Sequence, residues 1–508
     1  MKPERPNILW YCSDQQRYDT IHALGNPHIH TPNLDVLCDQ GVAFTRAYAQ
    51  SPICTPSRAT FLTGRYPNTH HVHRNNNECF PSGEVLVTRL LANAGYDCAL
   101  AGKLHLSKAS KGHLERRPDD GYRKFFWSNH SNPDYPYGHD YAIWLKEEKG
   151  VDPVELYATL RGQVGPGVPT EYHQTTWCSE MAIRFITEKR EGPWLMSINP
   201  FDPHPPFDPP KEYLDHYAPE TLPYPLFRES DIERQKAFRN IDQHTKEAIN
   251  PLTSTGKNNT TGSVIRGDMG SIPPSDYDAR FLKACYYAEI ELIDNQLKRI
   301  LDVLDKTGQR ENTLIIFMSD HGELLGDHGL IYKGCRFFEG SVHVPLIISW
   351  PAMCLKGLRS HALVELVDLA PTLLEAAGLE VPYYMQGKSL LPLLNGKVDP
   401  NYHKAHVTCE YNDSLPTQPN HSHGTMFFDG RYKLVIYEGQ TIGELFDLES
   451  DPGEFLNLWD DPASSSLKSE LILRHFKAYL ATSSAGIRYR KETWPGAGHA
   501  PKSPSVRD

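Results

Sequence analysis

The chain has 508 residues and a formal net charge of −11, a length beyond what one hydrophobic core organises, so two structural units, one large and one small, are expected. The acidic balance excludes a general nucleic-acid binder, which carries a basic footprint, while leaving room for a local cationic pocket. No run approaches the roughly 18 to 20 apolar residues that span a bilayer, and residues 1–7 lack a hydrophobic leader core; no membrane partner is expected, and the chain as it stands reads as cytoplasmic, or as exported if a leader preceded it.

Residues 8–12 are apolar and β-rich and end in Ser13-Asp14-Gln15-Gln16, the pattern of a buried strand feeding a loop. Residues 85–94 carry apolar positions at helical spacing, and 108–172 form a polar, Pro- and Gly-rich insertion of the kind that covers a sheet edge and selects substrates. A second strand, 194–198, runs into Asn199-Pro200-Phe201-Asp202-Pro203-His204. A second insertion spans 211–276, a long helical pattern covers 280–304, and a third strand, 313–318, runs into Ser319-Asp320-His321. Strands alternating with helices predict an α/β fold with a largely parallel sheet. Ligands bind beyond the carboxyl ends of such strands, and three separate strands end here in metal-binding or proton-transferring residue types. After Pro392, short β candidates at 406–411, 424–428, 432–437 and 444–448 and an amphipathic helix at 467–480 predict a small antiparallel subdomain, then a tail. The expected division is 1–392 and 393–508. Ten cysteines scattered singly match neither a disulfide scaffold nor a paired zinc site, and most are read as free and buried.

The most specific stretch is Cys54-Thr55-Pro56-Ser57-Arg58-Ala59-Thr60-Phe61-Leu62-Thr63-Gly64-Arg65. Pro56 suits the first turn of a helix that 57–62 continue, which puts Cys54 at a helix N-terminus where the dipole favours negative charge, with Arg58 one turn on to stabilise an oxyanion. On chemistry alone this is an activated thiol or an anion site, against the alternative of a buried structural cysteine. The run resembles the signature of the sulfatase family, in the alkaline phosphatase superfamily, where C-x-P-S-R directs oxidation of the cysteine to formylglycine by a maturation enzyme. The resemblance extends from Asn7 to about residue 458, where Asp429-Gly430-Arg431-Tyr432-Lys433-Leu434 and Glu444-Leu445-Phe446-Asp447-Leu448 look like the family's C-terminal strands. It implies an alkaline phosphatase-like mixed, largely parallel sheet flanked by helices, with a smaller C-terminal α+β subdomain. The modification has a chemical reason: a hydrated aldehyde has two hydroxyls on one carbon, one to attack sulfur and one whose deprotonation expels sulfate, whereas a serine would keep a stable ester.

By the same resemblance, Asp14, Gln15, Asp320, His321 and the formylglycine of Cys54 hold one divalent cation, an oxygen-dominated cage for a hard ion. The family's usual ion is Ca2+. Gln15, where a second Asp is common, and His321, where an Asn is common, are similar to the phosphonate monoester hydrolase branch and admit Mn2+ or Mg2+. The local alternatives are a capping carboxylate for Asp14 and a plain polar loop residue for Gln15. Gly102-Lys103-Leu104-His105 looks like the family's second signature, and alternation along an extended segment would point Lys103 and His105 the same way. The resemblance makes Lys103 the stabiliser of the charged hydrate and His105 the acceptor of the proton that releases sulfate; the plainer alternative is a solvated lysine and a satisfied histidine. His204 resembles the histidine that protonates the leaving alcohol, and Lys333 the lysine that shares these roles at the sulfate. Asn75 resembles an anion-contacting asparagine, or is a turn residue, while Asp327 and His328 read as structural. Asp14 and Asp320 balance one dication, leaving Arg58, Lys103 and Lys333 to attract a tetrahedral oxyanion. The implied activity is hydrolysis of sulfate monoesters of small molecules or saccharides, with a second copy in a homo-oligomer among the partners. The rivals are a phosphonate monoester or phosphodiester hydrolase on the same fold, and a silent binding protein with unmodified Cys54.

Overall fold

The computed structural model describes residues 5–109, 114–129, 139–158, 160, 164–245, 247–254, 277–416 and 418–483. Among them, nine strands form one sheet: β1 (Asn7–Ser13), β2 (Val42–Tyr48), β3 (Asp97–Gly102), β4 (Lys124–Trp127), β5 (Trp194–Asn199), β6 (Thr313–Ser319), β7 (His343–Ser349), β8 (Leu358–Ser360) and β9 (Val364–Glu365). The spatial order is β4-β3-β5-β1-β6-β7-β2-β8, with β9 also on β2. All pairings are parallel except those of β7, which runs against both β6 and β2. The three strands recognisable in the sequence, β5, β1 and β6, are neighbours at the centre, so their C-terminal loops converge on one edge.

Side-chain alternation divides these strands between two cores. Ile8, Trp10 and Cys12 pack with Leu314, Ile316 and Met318 and with Ala59, Phe61 and Leu62 of the helix that begins at Cys54. Leu9 and Tyr11 face the other way with Ile315 and Phe317, against Trp177, Ile293 and Leu297 of two other helices. The long helix Ala279–Lys306 starts and ends within two residues of its predicted limits, because its apolar positions recur with helical period over seven turns.

The polar insertion 108–172 does more than cover an edge. Its residues Lys124–Trp127 form β4, hydrogen-bonded parallel to β3; four residues are too few for a periodic signal. Of the second insertion, short helices at Lys211–Leu214 and Ser230–Ala237 are described, while 255–276, like the C-terminal tail from 484, lies outside the described residues. No described helix is long and apolar enough to cross a membrane.

A second, antiparallel sheet follows: β10 (Val407–Asn412), β11 (His423–Phe428), β12 (Tyr432–Tyr437) and β13 (Gly443–Asp447), in sequence order. One face packs on the helix Ser465–Thr482 through Phe427, Leu434, Leu445 and Leu471. The other packs on the large unit, where Val435 and Tyr437 meet Tyr48, Ile53 and Phe337. Lys433 is fully buried at this junction, donating to Glu339, Glu454 and the Phe337 carbonyl at 2.5, 2.8 and 3.0 Å. Removing one partner of a buried ion cluster strands the others. Lys433→Met is therefore expected to lower the unfolding free energy by about 3–5 kcal/mol, read by urea denaturation, and adding Glu454→Gln to recover part of the loss.

Candidate active site

β1 and β6 pair in register as far as Ser13 and Ser319, so Asp14 and Asp320 emerge side by side from adjacent strands, both fully buried. Two buried carboxylates so close are costly unless compensated. Arg58 compensates them: its Nε donates to Asp320 Oδ2 at 2.9 Å and its Nη2 to Asp14 Oδ2 at 3.2 Å. Because Arg58 lies one turn inside the helix Cys54–Thr63, this clamp seats the helix N-terminus over the strand ends. Ser57 Oγ donates to the Asp320 carbonyl at 2.5 Å, and the Thr55 amide donates to Asn75 Oδ1 at 3.0 Å. Lys103 Nζ sits 2.7 Å from Asp14 Oδ2. Burial by itself raises the Asp14 carboxyl, but Lys103, His204, Arg58 and Lys333 together outweigh it and hold it well below the ordinary carboxylate range. Burial likewise opposes charge on Arg58, and Asp320 and Asp14 overcome it and keep the guanidinium protonated.

Cys54 Sγ lies within this cluster, 2.9 Å from Lys333 Nζ, 3.1 Å from His321 Nε2, 3.8 Å from Lys103 Nζ and 3.9 Å from Asp14 Oδ1. His321 donates from Nδ1 to the Gly322 carbonyl at 2.9 Å, which leaves the Nε2 lone pair toward Cys54. Burial, reinforced by Lys333, pushes its pKa down to about 4 against the pull of Asp320, so the ring is a neutral imidazole at pH 7. One donor atom from each of Asp14, Cys54, Asp320 and His321 lies within 4.8 Å of the others.

Gln15 fits a cation in this cluster. Its Nε2 donates to Glu323, and its Oε1 is buried without a hydrogen-bond donor among the described residues. Arg58 takes Oδ2 of both aspartates, and Asp320 Oδ1 accepts from the amides of Gln15 and His321 at 3.1 and 3.0 Å; the inner side carries Asp14 Oδ1, Asp320 Oδ1, Gln15 Oε1 and His321 Nε2. Three oxygens and a neutral imidazole suit a hard divalent ion. Gln15 has a left-handed backbone, φ 69°, a strained conformation for a non-glycine residue that persists only where surroundings impose it. Here Tyr286 imposes it, donating its hydroxyl to the Gln15 carbonyl at 2.6 Å and accepting from the Arg17 amide at 3.0 Å.

Lys103 and His105 are both buried, but strand alternation does not explain them. β3 ends at Gly102, and His105 is left-handed with φ 58°, so spacing two apart no longer implies one side. The bend is fixed by Glu115, whose carboxylate accepts from the amides of His105, Leu106 and Ser107 at 2.9, 2.5 and 3.2 Å. Gly102 is required, because a Cβ there would fall within 1.9 Å of the Asn199 carbonyl oxygen on the adjoining strand. His204 is buried beyond β5, its Nδ1 2.8 Å from the Pro205 carbonyl and its ring against Phe201. Asn75 serves the start of the Cys54 helix through Thr55. Asp327 is held by Arg17 at 2.8 Å, and His328 stacks on Phe338.

Three organising residues carry no assigned role in the sequence reading. Glu323 ties Gln15 and also accepts from the amides of Leu325 and Tyr332; its only signal in the sequence is its place two residues after Asp320-His321. Asn199, 3.3 Å from Arg58 Nη1, was marked only as the first residue after the second strand, and Glu115 had no signal. A cleft of about 490 Å³ elsewhere, lined by Arg17, Asp19, Lys283 and Tyr287 among others, contains none of the predicted catalytic or metal-binding residues, though Asp327, read as structural, lines it.

The sequence model of the sulfatase family matches residues 6–379. The chain belongs to the sulfatase family. A second model, that of the N-sulphoglucosamine sulphohydrolase C-terminal region, matches 326–478 of this sulfatase. Its relatives include the arylsulfatase of Clostridium perfringens, 29% identical over 89% of this chain and 90% of that one. They also include the multifunctional alkaline phosphatase superfamily protein PehA of Trinickia caryophylli, 30% identical over 91% and 93%. Among solved structures, the phosphonate monoester hydrolase of Agrobacterium radiobacter superposes with a TM-score of 0.78 at 26% identity, covering 94% of this chain and 96% of that one. The protein is a sulfuric ester hydrolase with an alkaline phosphatase-like fold. If Glu323 aims Gln15 as the geometry indicates, Glu323→Ala weakens divalent-cation affinity by about 10- to 100-fold, measured by calorimetric titration of the metal-free chain, with the far-UV spectrum unchanged.

Proposed function

We propose that this sulfatase cleaves sulfate monoesters with a formylglycine made from Cys54, beside one divalent cation held by Asp14, Gln15, Asp320 and His321. The observation that carries the proposal is the position of Cys54 Sγ, which stands where a hydrate hydroxyl would be, at a helix N-terminus and in reach of Lys333, Lys103 and His321. Cys54 has no exposed surface, so oxidation by the maturation enzyme has to reach the segment before it folds. The cation, with Ca2+ favoured and Mn2+ or Mg2+ as alternatives, supplies positive charge to oxygens that become more negative in the reaction. Arg58 holds the helix and its two carboxylates in place, and Lys103 and Lys333 present charge to the equatorial oxygens of sulfate. One hydrate hydroxyl, having lost its proton to solvent to become the oxyanion that Lys103 stabilises, attacks sulfur as the S–O bond to the alcohol breaks, and His204 gives the departing oxygen a proton. His105 then takes the proton of the remaining hydroxyl, the C–O bond to sulfate breaks, and the aldehyde is restored and rehydrated.

A phosphonate monoester hydrolase is the second reading, supported by the superposition on the Agrobacterium enzyme and by the Gln15 and His321 pairing. The proposal requires a higher kcat/KM for an aryl sulfate than for the phosphonate monoester of the same aryl alcohol; the reverse order selects the second reading. Cys54→Ala abolishes turnover with fold retained, and Cys54→Ser gives at most one turnover and a trapped sulfate ester visible by intact mass. An unmodified, catalytically silent Cys54 would be seen in the same mass measurement of the wild-type chain. His204→Ala costs little on an activated aryl sulfate and about 10²- to 10⁴-fold on an alkyl sulfate; equal losses on both remove it as the acid. Chelation, or Asp320→Ala, inactivates the enzyme, and full activity in a preparation shown by elemental analysis to hold no divalent metal would overturn the ligand set.

A further inference from the structure

Three metal-binding side chains with no part in the Cys54 cluster converge on the surface of the long helix. Glu291, in the helix Ala279–Lys306, is 7% exposed. His216 follows the short helix Lys211–Leu214 in the second insertion, and its Nδ1 lies 2.9 Å from Glu291 Oε1. His30 precedes the helix Pro32–Gln40, and its Nδ1 lies 3.4 Å from Glu291 Oε2. One donor atom from each residue lies within 4.8 Å of the other two. Both imidazoles are about half exposed, at 55% and 50% of their side chains, whereas the carboxylate between them is buried.

Both histidines are positioned by contacts of their own, and Glu291 by the helix that carries it. The His30 amide donates to the Tyr217 hydroxyl at 3.1 Å, and the His30 ring packs against the Tyr217 ring at 5.2 Å. One turn along the helix from Glu291, Asp294 accepts from the amides of Asn33 and Leu34 at 3.0 and 2.7 Å, which anchors the segment carrying His30. The His216 amide donates to the Tyr213 carbonyl at 3.1 Å. Two imidazole nitrogens and one carboxylate oxygen are the donor set of three-ligand zinc sites, in which the fourth position stays open. Metal–ligand distances of 2.0–2.2 Å in a tetrahedron put donor atoms roughly 3.3 Å apart. The His30 contact, made to Oε2, already has that value; the His216 contact, made to Oε1, has to lengthen by a few tenths of an ångström and swing toward the shared ion. Imidazole-rich sites select Zn2+ over Ca2+ and Mg2+, the reverse of the oxygen-rich cluster at Cys54.

We infer that His30, His216 and Glu291 bind a transition-metal ion of the Zn2+ class, which staples the start of the second insertion and the segment before the helix Pro32–Gln40 to the long helix and leaves one coordination position open to solvent. The same helix carries Tyr286, which holds Gln15, so the staple braces the scaffold of the catalytic loop without touching it. The test is titration of the full chain with Zn2+ and with Co2+ in excess Ca2+, beside the variants His216→Ala and His30→Ala/His216→Ala. The wild-type chain is expected to take up one more Zn2+ than the double variant, to show the visible bands of four-coordinate Co2+ that the double variant lacks, and to unfold at a higher temperature when Zn2+ is added. His216→Ala alone weakens the site about 10-fold or more while leaving sulfate-ester turnover without Zn2+ unchanged. Equal Zn2+ stoichiometry and equal thermal shifts in the wild-type chain and the double variant would show a plain histidine–glutamate ion pair and overturn the inference.

Discussion

The structure is organised around two negative charges that have to be kept apart from water and together with each other. Asp14 and Asp320 leave adjacent parallel strands at the same level, and neither has any exposed surface. In a low-dielectric interior such a pair is tolerated only when cations meet it with good geometry. The Arg58 bridge provides this, and its reach from the first turns of the Cys54 helix explains why that helix begins where it does. A lysine could not replace it, since the interaction uses Nε and Nη2 at once to hold two carboxylates in fixed orientation. With their Oδ2 atoms engaged, the aspartates present their other oxygens to the side where Cys54, His321 and Gln15 lie.

Around this pair the backbone departs from regular structure at the positions where the chemistry is placed. Gln15 and His105 both have positive φ, and each is stabilised by a buried side chain from a remote segment: Tyr286 and Glu323 for the Gln15 loop, Glu115 for the His105 loop. Strain of this kind costs about 1–3 kcal/mol per residue and is offset by the hydrogen bonds these side chains make to the two loops. The result is a site whose groups are oriented before any substrate arrives, which is how preorganised electrostatics lowers a barrier.

The likeness to both sulfatases and a phosphonate monoester hydrolase has a physical basis in the same arrangement. A sulfate monoester places three oxygens in the equatorial plane as the leaving group departs, a phosphonate monoester two oxygens and a carbon, and a cluster of cations beside a helix N-terminus stabilises the charge on either set of oxygens.

The pattern of apolar residues was sufficient to locate the central strands, the long helix and all four strands of the second sheet, because burial on a sheet or a helix imposes a period that local sequence must obey. The helix starting at Cys54 was legible for the same reason, from Pro56 and the run after it. Four-residue β4 was not, since its aromatic run is shorter than any period. Lys103 and His105 are both buried, but the alternation expected of an extended segment does not hold there, because the strand ends at Gly102 and His105 is left-handed. Glu115, Glu323 and Tyr286 are single polar residues with no local pattern, and their meaning comes only from the amides and carbonyls they face across the fold. Strand order was equally invisible in the sequence: periodicity reports which face of an element is buried, whereas the neighbour it is buried against depends on how the whole sheet assembles. That assembly alone put Asp14 beside Asp320, and brought His30 and His216 to the same carboxylate.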